Sequence, residues 1–186
     1  MNRVRSRRRA RHLGWILACL VVALIAAGGA YALINPRLTR DDGLLPERTT
    51  IFDQQYPGIA KLTPDLATAL REAAGAAQHD GVQFYVTSGW RSEAYQSALL
   101  QSAIEQYGSA REAARWVAPP EKSEHVRGEA VDLGGADALA WLRWHGAAFG
   151  LCQVYANEAW HYELRPDAPD QGCPPLYRDA LADPRF

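Results

Sequence analysis

Ser123-Glu124-His125-Val126-Arg127-Gly128-Glu129-Ala130-Val131-Asp132-Leu133 is the stretch whose reading decides the fold. His125 and Asp132 are too far apart to share one turn of a helix of about 3.6 residues. The spacing suits a loop that doubles back into a strand, with Gly128 supplying a permissive backbone. In a strand from Ala130 to Leu133, Val131 and Leu133 share one face and Asp132 projects from the other. Downstream, Glu158-Ala159-Trp160-His161 adds a second imidazole and another carboxylate. Two imidazoles and an aspartate, with a glutamate to spare, are the inventory of a catalytic zinc site. Such a site uses three protein ligands, an open position for water, and a carboxylate to take its proton.

Taken singly, these residues also fit a surface histidine, a solvent-facing aspartate and a half-buried, hydrogen-bonded histidine. Glu158 stands three residues before His161, which splits the two across opposite faces of a strand. Glu158 must therefore sit in the turn before it, which Asn157 suits. Glu163 shares the strand face of His161. It is a rival for the base, or a partner that holds the imidazole.

Working outward, Thr63-Pro64 opens a helix with a hydroxyl cap and a first-turn proline. Leu66, Leu70, Ala73 and Ala77 fall on one of its faces. Val82 to Thr87 is β-branched and aromatic, hence a strand. Ser92 to about Tyr107 reads as a helix with Ala98, Leu99, Ser102 and Ala103 towards a core. Ser109-Ala110-Arg111-Glu112 has capping-box spacing and begins a short helix. Ala136 to Ala148 is helical, and Leu151–Tyr155 and Trp160–Leu164 are the last strands. Helices come first and strands cluster late, so the class is α+β, a small antiparallel sheet with helices packed on it. Trp90, Trp141, Trp144 and Trp160 read mostly as core, with Trp160 also a candidate pocket wall. His145 reads as a helix-end residue.

The first twelve residues carry six arginines and no acid, and an uncharged, mostly apolar run follows from Leu13 to Ile34. At about 1.5 Å per residue that run can cross a hydrocarbon core about 30 Å thick. The arginines would stay cytoplasmic. The expected organisation is a basic segment (1–12), a transmembrane anchor or signal segment (13–34), a stalk (35–62) and a domain (63–186). An uncleaved single-span anchor is favoured. The alternative is a secreted chain cleaved near Ala32, after Ala30-Tyr31-Ala32. Without the six arginines the balance is 14 basic against 21 acidic residues. The exported part is therefore acidic, and nothing points to nucleic acid. Cys152 and Cys173 would meet an oxidising compartment, where a pair is more often a disulfide than free thiols or metal ligands.

Three blocks occur in order: Ser88-Gly89-Trp90-Arg91-Ser92, then Ser123 to Asp132, then Glu158 to His161. Together they resemble the S-G-x-R-S, S-x-H-x-x-G-x-A-x-D and E-x-x-H patterns of zinc D-alanyl-D-alanine peptidases of the VanY/VanX type. The resemblance implies the hedgehog/D,D-peptidase fold. It implies that His125, Asp132 and His161 bind Zn²⁺, that Glu158 is general base and then acid, and that Arg91 stabilises the oxyanion. Ser123 and Gln96 would line the substrate pocket. The expected activity is a carboxypeptidase removing the terminal D-Ala of peptidoglycan stem peptides, from a monomer held at the bacterial membrane. A D,D-dipeptidase, a cross-bridge endopeptidase or a non-catalytic zinc-stabilised module share the motifs. The presence of both Glu158 and Arg91 favours an enzyme.

Overall fold

The structure, a computed structural model, describes residues 38–186, which form one compact unit. The apolar run expected to span the membrane lies outside the described residues. Among the described residues, no helix is long and apolar enough to cross a membrane.

In chain order the elements are α1 (Pro57–Ala60), α2 (Pro64–His79), β1 (Tyr85–Ser88), α3 (Glu93–Tyr107), α4 (Ala110–Ala113), α5 (Glu124–Arg127), β2 (Ala130–Gly134), α6 (Ala136–His145), β3 (Leu151–Gln153), β4 (His161–Leu164) and α7 (Ala168–Gln171). The strands form one antiparallel sheet in the order β1-β2-β4-β3. The class is α+β, as the late clustering of strands implied.

The two faces of the sheet divide the labour. Val86, Val131, Leu133, Leu151 and Tyr162 enter one apolar core with Leu66, Leu70, Ala73 and Ala77 of α2 and with Ala138, Trp141 and Leu142 of α6. The alternate residues Asp132, His161 and Glu163 stand on the opposite face, because side-chain direction alternates along a strand. Asp132 is the direct cross-strand partner of His161, and on its other side pairs with Ser88. Burial of large apolar side chains, each contributing about 1.5–3 kcal/mol, thus fixes the register that brings these polar groups together.

Several local expectations are revised. Residues 35–62 do not read out as a stalk over their described part, from Leu38 onward. Ile51, Ile59 and Leu62 are core residues, and the Val86 and Trp90 N–H groups bond this segment through Thr49 O and Gly58 O. The segment holds only a 3₁₀ turn at Arg40–Asp42 and the single turn of α1, too short to carry a period by which its burial could be read. Thr63 makes no side-chain cap; Pro64 at the first turn opens α2 without one. β1 begins at Tyr85 rather than Val82, and α6 ends at His145, with a 3₁₀ turn over Gly146–Phe149. The expected loop after Ser123 is a one-turn helix, α5. On α3, Ala98 and Ser102 are exposed; only Gln96 and Ala103 are buried, because this helix borders a cleft. Trp144 is 81% exposed and is no core residue, whereas Trp141 is buried against Phe84.

Candidate metal centre and its cleft

Three elements deliver the candidate ligands. His125 comes from α5, Asp132 from the middle of β2 and His161 from the start of β4. α5 can stop and turn into β2 because Gly128 takes φ +74°, and any Cβ there would lie 2.3 Å from Lys61 O. Gly89 is equally constrained: a Cβ would lie 2.1 Å from Gly58 O. That close approach puts the Gly89 carbonyl where the His125 Nδ1 reaches it, at 2.8 Å. A carbonyl only accepts, so Nδ1 carries the proton and Nε2 turns its lone pair inward.

His125 Nε2, His161 Nδ1 and Asp132 Oδ1 are mutually 3.3 Å apart. A tetrahedral ion with ligand bonds of about 2.0–2.1 Å has donor–donor edges of about 3.3–3.4 Å. All three side chains are buried, and no other group of three such ligands occurs among the described residues. The donor set therefore fits zinc in chemistry, in edge length and in number, with a fourth position left for water.

The surroundings orient each donor. The His161 Nε2–H donates to Glu163 Oε1 at 3.2 Å, and Glu163 Oε2 in turn accepts from Arg165 at 2.8 Å and Arg185 at 2.7 Å. Glu163 is thus the partner that holds the imidazole, on the side of the ring away from Asp132. The rival assignment as base does not fit that position. Burial disfavours the His161 cation. Its bonds to Asp132 and Glu163 outweigh this and raise the metal-free ring to about 9, so a bound metal must displace a proton. Burial pushes the other way on Asp132 too, but His125 and Arg91 hold its carboxyl well below the usual range. Burial and the nearby Arg91 lower the His125 ring below its ordinary value.

Arg91 braces Asp132 from outside. Its guanidinium donates to Asp132 Oδ2 at 2.6 Å, to Ser88 Oγ at 2.7 Å and to Gln96 Oε1 at 3.1 Å. Three of its five N–H groups are used, which leaves two for a further acceptor. Gln96 is not a solvated glutamine. It is fully buried, and its amide also donates to Ala118 O at 2.7 Å. Glu158 lies in the turn before β4, where its carbonyl accepts from His161 N–H at 3.1 Å. Burial, reinforced by the negative charge of Asp132 and opposed by His161 and Arg91, lifts its carboxyl to about 7.

These groups open into a cleft of about 420 Å³. Arg91, Gln96, Ser123, His125, Asp132, Glu158, Trp160 and His161 all border it, so every catalytic, pocket and metal residue expected from sequence is brought to one place. Trp160 is 41% exposed and forms part of the wall. The opposite wall was not legible beforehand. Leu99 and Ala103 line it with a stacked Tyr107–Trp116 pair whose rings lie 5.8 Å apart. No spacing signals that pair, because α4 and a turn separate the two residues. Tyr155, whose ring packs 5.1 Å from His161, was likewise missed. Cys152 and Cys173 are joined as a disulfide, with Cα atoms 5.5 Å apart.

Comparison with known proteins agrees with this geometry. A profile of the VanY family, described as D-alanyl-D-alanine carboxypeptidase, matches residues 59–167. The chain is 30% identical over 143 residues to a D-alanyl-D-alanine carboxypeptidase of Enterococcus faecalis (strain ATCC 700802 / V583), covering 63% of this chain. It spans about half, 53%, of that relative's length. It is similar, with a TM-score of 0.52 and 27% identity, to a mutant of the vancomycin-resistance D,D-pentapeptidase VanY from a VanB-type cassette in complex with Zn(II). That match covers 55% of this chain and 72% of the other. VanYB in complex with D-alanine-D-alanine matches at 0.52 and 26% identity, covering 55% and 71%.

Proposed function

We propose that this chain, which belongs to the VanY family of D-alanyl-D-alanine carboxypeptidases, is a zinc-dependent carboxypeptidase that removes the terminal D-Ala from peptidoglycan stem peptides. The observation that carries this reading is the triangle of His125, Asp132 and His161 with edges of 3.3 Å, facing a cleft that also holds Glu158 and Arg91.

His125 Nε2, Asp132 Oδ1 and His161 Nδ1 would hold the ion. When bound, zinc supplies a Lewis acid that polarises a carbonyl and makes water acidic enough to attack near neutral pH. Glu158, bordering the cleft beside the metal triangle, takes the proton of the attacking water and passes it to the departing D-Ala amine. Arg91 directs its two free N–H groups at the oxygen that gains negative charge, and its fork needs no reorganisation because Ser88, Gln96 and Asp132 already fix it. Ser123 and Gln96 line the substrate side, Gln96 acting through Arg91.

The chain would act as a monomer outside the inner membrane, held by the Leu13–Ile34 run. A site built from one chain and the Cys152–Cys173 bridge support that placement. The test is incubation of the full chain with a pentapeptide ending in D-Ala-D-Ala, with and without a chelator, and product identification by mass. Chelator-sensitive release of one D-alanine is expected. Release of a dipeptide, or no cleavage by a chain holding zinc, overturns the proposal.

A further inference from the structure

We infer that Arg185 is a positioning residue for the metal centre, clamping from behind the two segments that carry His125 and His161. The inference rests on the metal-binding reading above. Arg185 lies beyond residues 59–167, the part that matches the family profile.

One guanidinium reaches three buried carboxylates. It grips Glu163 with two bonds, Nη1 to Oε2 at 2.7 Å and Nη2 to Oε1 at 3.1 Å. Nη1 also reaches Glu124 Oε1 at 3.0 Å, and Nε reaches both oxygens of Asp183 at 3.0 Å. Each partner leads to a ligand. Glu163 accepts the His161 Nε2–H. Glu124 precedes His125 in the single turn of α5. Asp183 accepts from the Tyr155 hydroxyl at 3.1 Å, and the Tyr155 ring packs on His161.

A planar fork with donors along two edges can satisfy this arrangement; a point charge cannot span it. Glu163 and Glu124 each have a second cation, Arg165 and Arg127 respectively. Asp183 has Arg185 alone among the described residues. Without the clamp, Glu163 is free to swing with Arg165, and the His161 ring loses the fixed acceptor that sets its tautomer. Partners that orient ligating imidazoles typically govern metal affinity by about 10–100-fold. Arg185 acts one bond further out, so an effect near the lower end is expected.

The experiment measures the zinc dissociation constant of the full chain by competition with a chromogenic chelator, with metal-free thermal melts alongside. Arg185→Ala should weaken zinc binding about 10-fold, and Arg185→Lys by less. Arg115→Ala is the control. It takes a cation from Asp179, in the same C-terminal stretch, at 2.9 Å, and bonds to neither Glu124 nor Glu163. Its zinc constant should match the parent. In a Glu163→Gln background, Arg185→Ala should add less than it does alone, because the two share one route to His161. A zinc constant for Arg185→Ala within about twofold of the parent overturns the inference, as does equal weakening by Arg115→Ala. If the alanine variant does not fold, Arg185→Lys decides, and an unchanged constant refutes the clamp. A parent chain that binds no zinc refutes the metal centre itself, and the clamp with it.

Discussion

Replacing Glu158 by Gln should make the metal-free protein more stable while removing its activity. In the metal-free chain, burial lifts this carboxyl from its ordinary 4.5 to about 7. A raised folded pKa means that ionisation is penalised in the native state relative to the unfolded one. The native state therefore loses stability as pH rises from 4.5 through 7, and by pH 8 the loss is complete. The size follows from the separation of the two values, about 3 kcal/mol. Glutamine keeps the shape and never ionises, so the variant escapes the penalty. For a domain of this size, Tm at pH 8 should rise by about 6–12 °C. At pH 4 both side chains are neutral and the two melting curves should converge. Thermal denaturation followed by circular dichroism, in chelator, at pH 4 and pH 8 measures both numbers. A variant melting at or below the parent at pH 8, or a gain that persists at pH 4, refutes the reasoning. With zinc restored, turnover should fall about 10²–10⁴-fold with the metal retained, since Glu158 is not a ligand. The cation's charge lowers the carboxyl from about 7, so the acid limb of the parent's kcat/KM profile should lie below that pH and vanish in the variant.

Three further outcomes are expected. His161→Ala removes one corner of the triangle, so zinc should be lost on dialysis, as read by atomic absorption, and activity with it. Arg91→Ala should lower kcat by on the order of 10²-fold or more. Because Arg91 also holds Asp132 Oδ2 at 2.6 Å, it should loosen zinc measurably as well, by chelator competition. Replacing Cys152 and Cys173 together by Ser opens a loop with a sequence separation of 21, which should cost about 3 kcal/mol in a urea titration.

The ligands were legible because each needs a particular residue type at a fixed place in a short pattern. Gly128 marks a turn, and the alternation of Val131, Asp132 and Leu133 declares which side chain leaves the core. Glu163 was readable from its two-residue offset to His161, though its choice between base and support needed the structure. What lay hidden depends on contacts between distant segments that have no period. Leu45 to Leu62 holds no regular element beyond the single turn of α1, so its burial leaves no pattern. Arg185 meets Glu163 and Glu124 across 22 and 61 residues. Gln96 was placed at the pocket by the resemblance alone; only the fold shows it buried with Arg91 beside it. The face of α3 was misread as core because a helix lining a cleft presents small and apolar residues much as one lining a core does.

Asp132 and His161 are paired residues of neighbouring strands. A slip of one position in that pairing turns every side chain of the moving strand to the other face. A slipped β4 would point Tyr162 at the cleft and bury His161 against Leu66 and Leu70, leaving the ion with two donors. Zinc can therefore bind tightly only to correctly aligned chains. Whatever else the ion does for a substrate, it also acts as a proofreader of the hairpinless pairing between β2 and β4, rewarding with its binding free energy the one alignment that places both donors side by side.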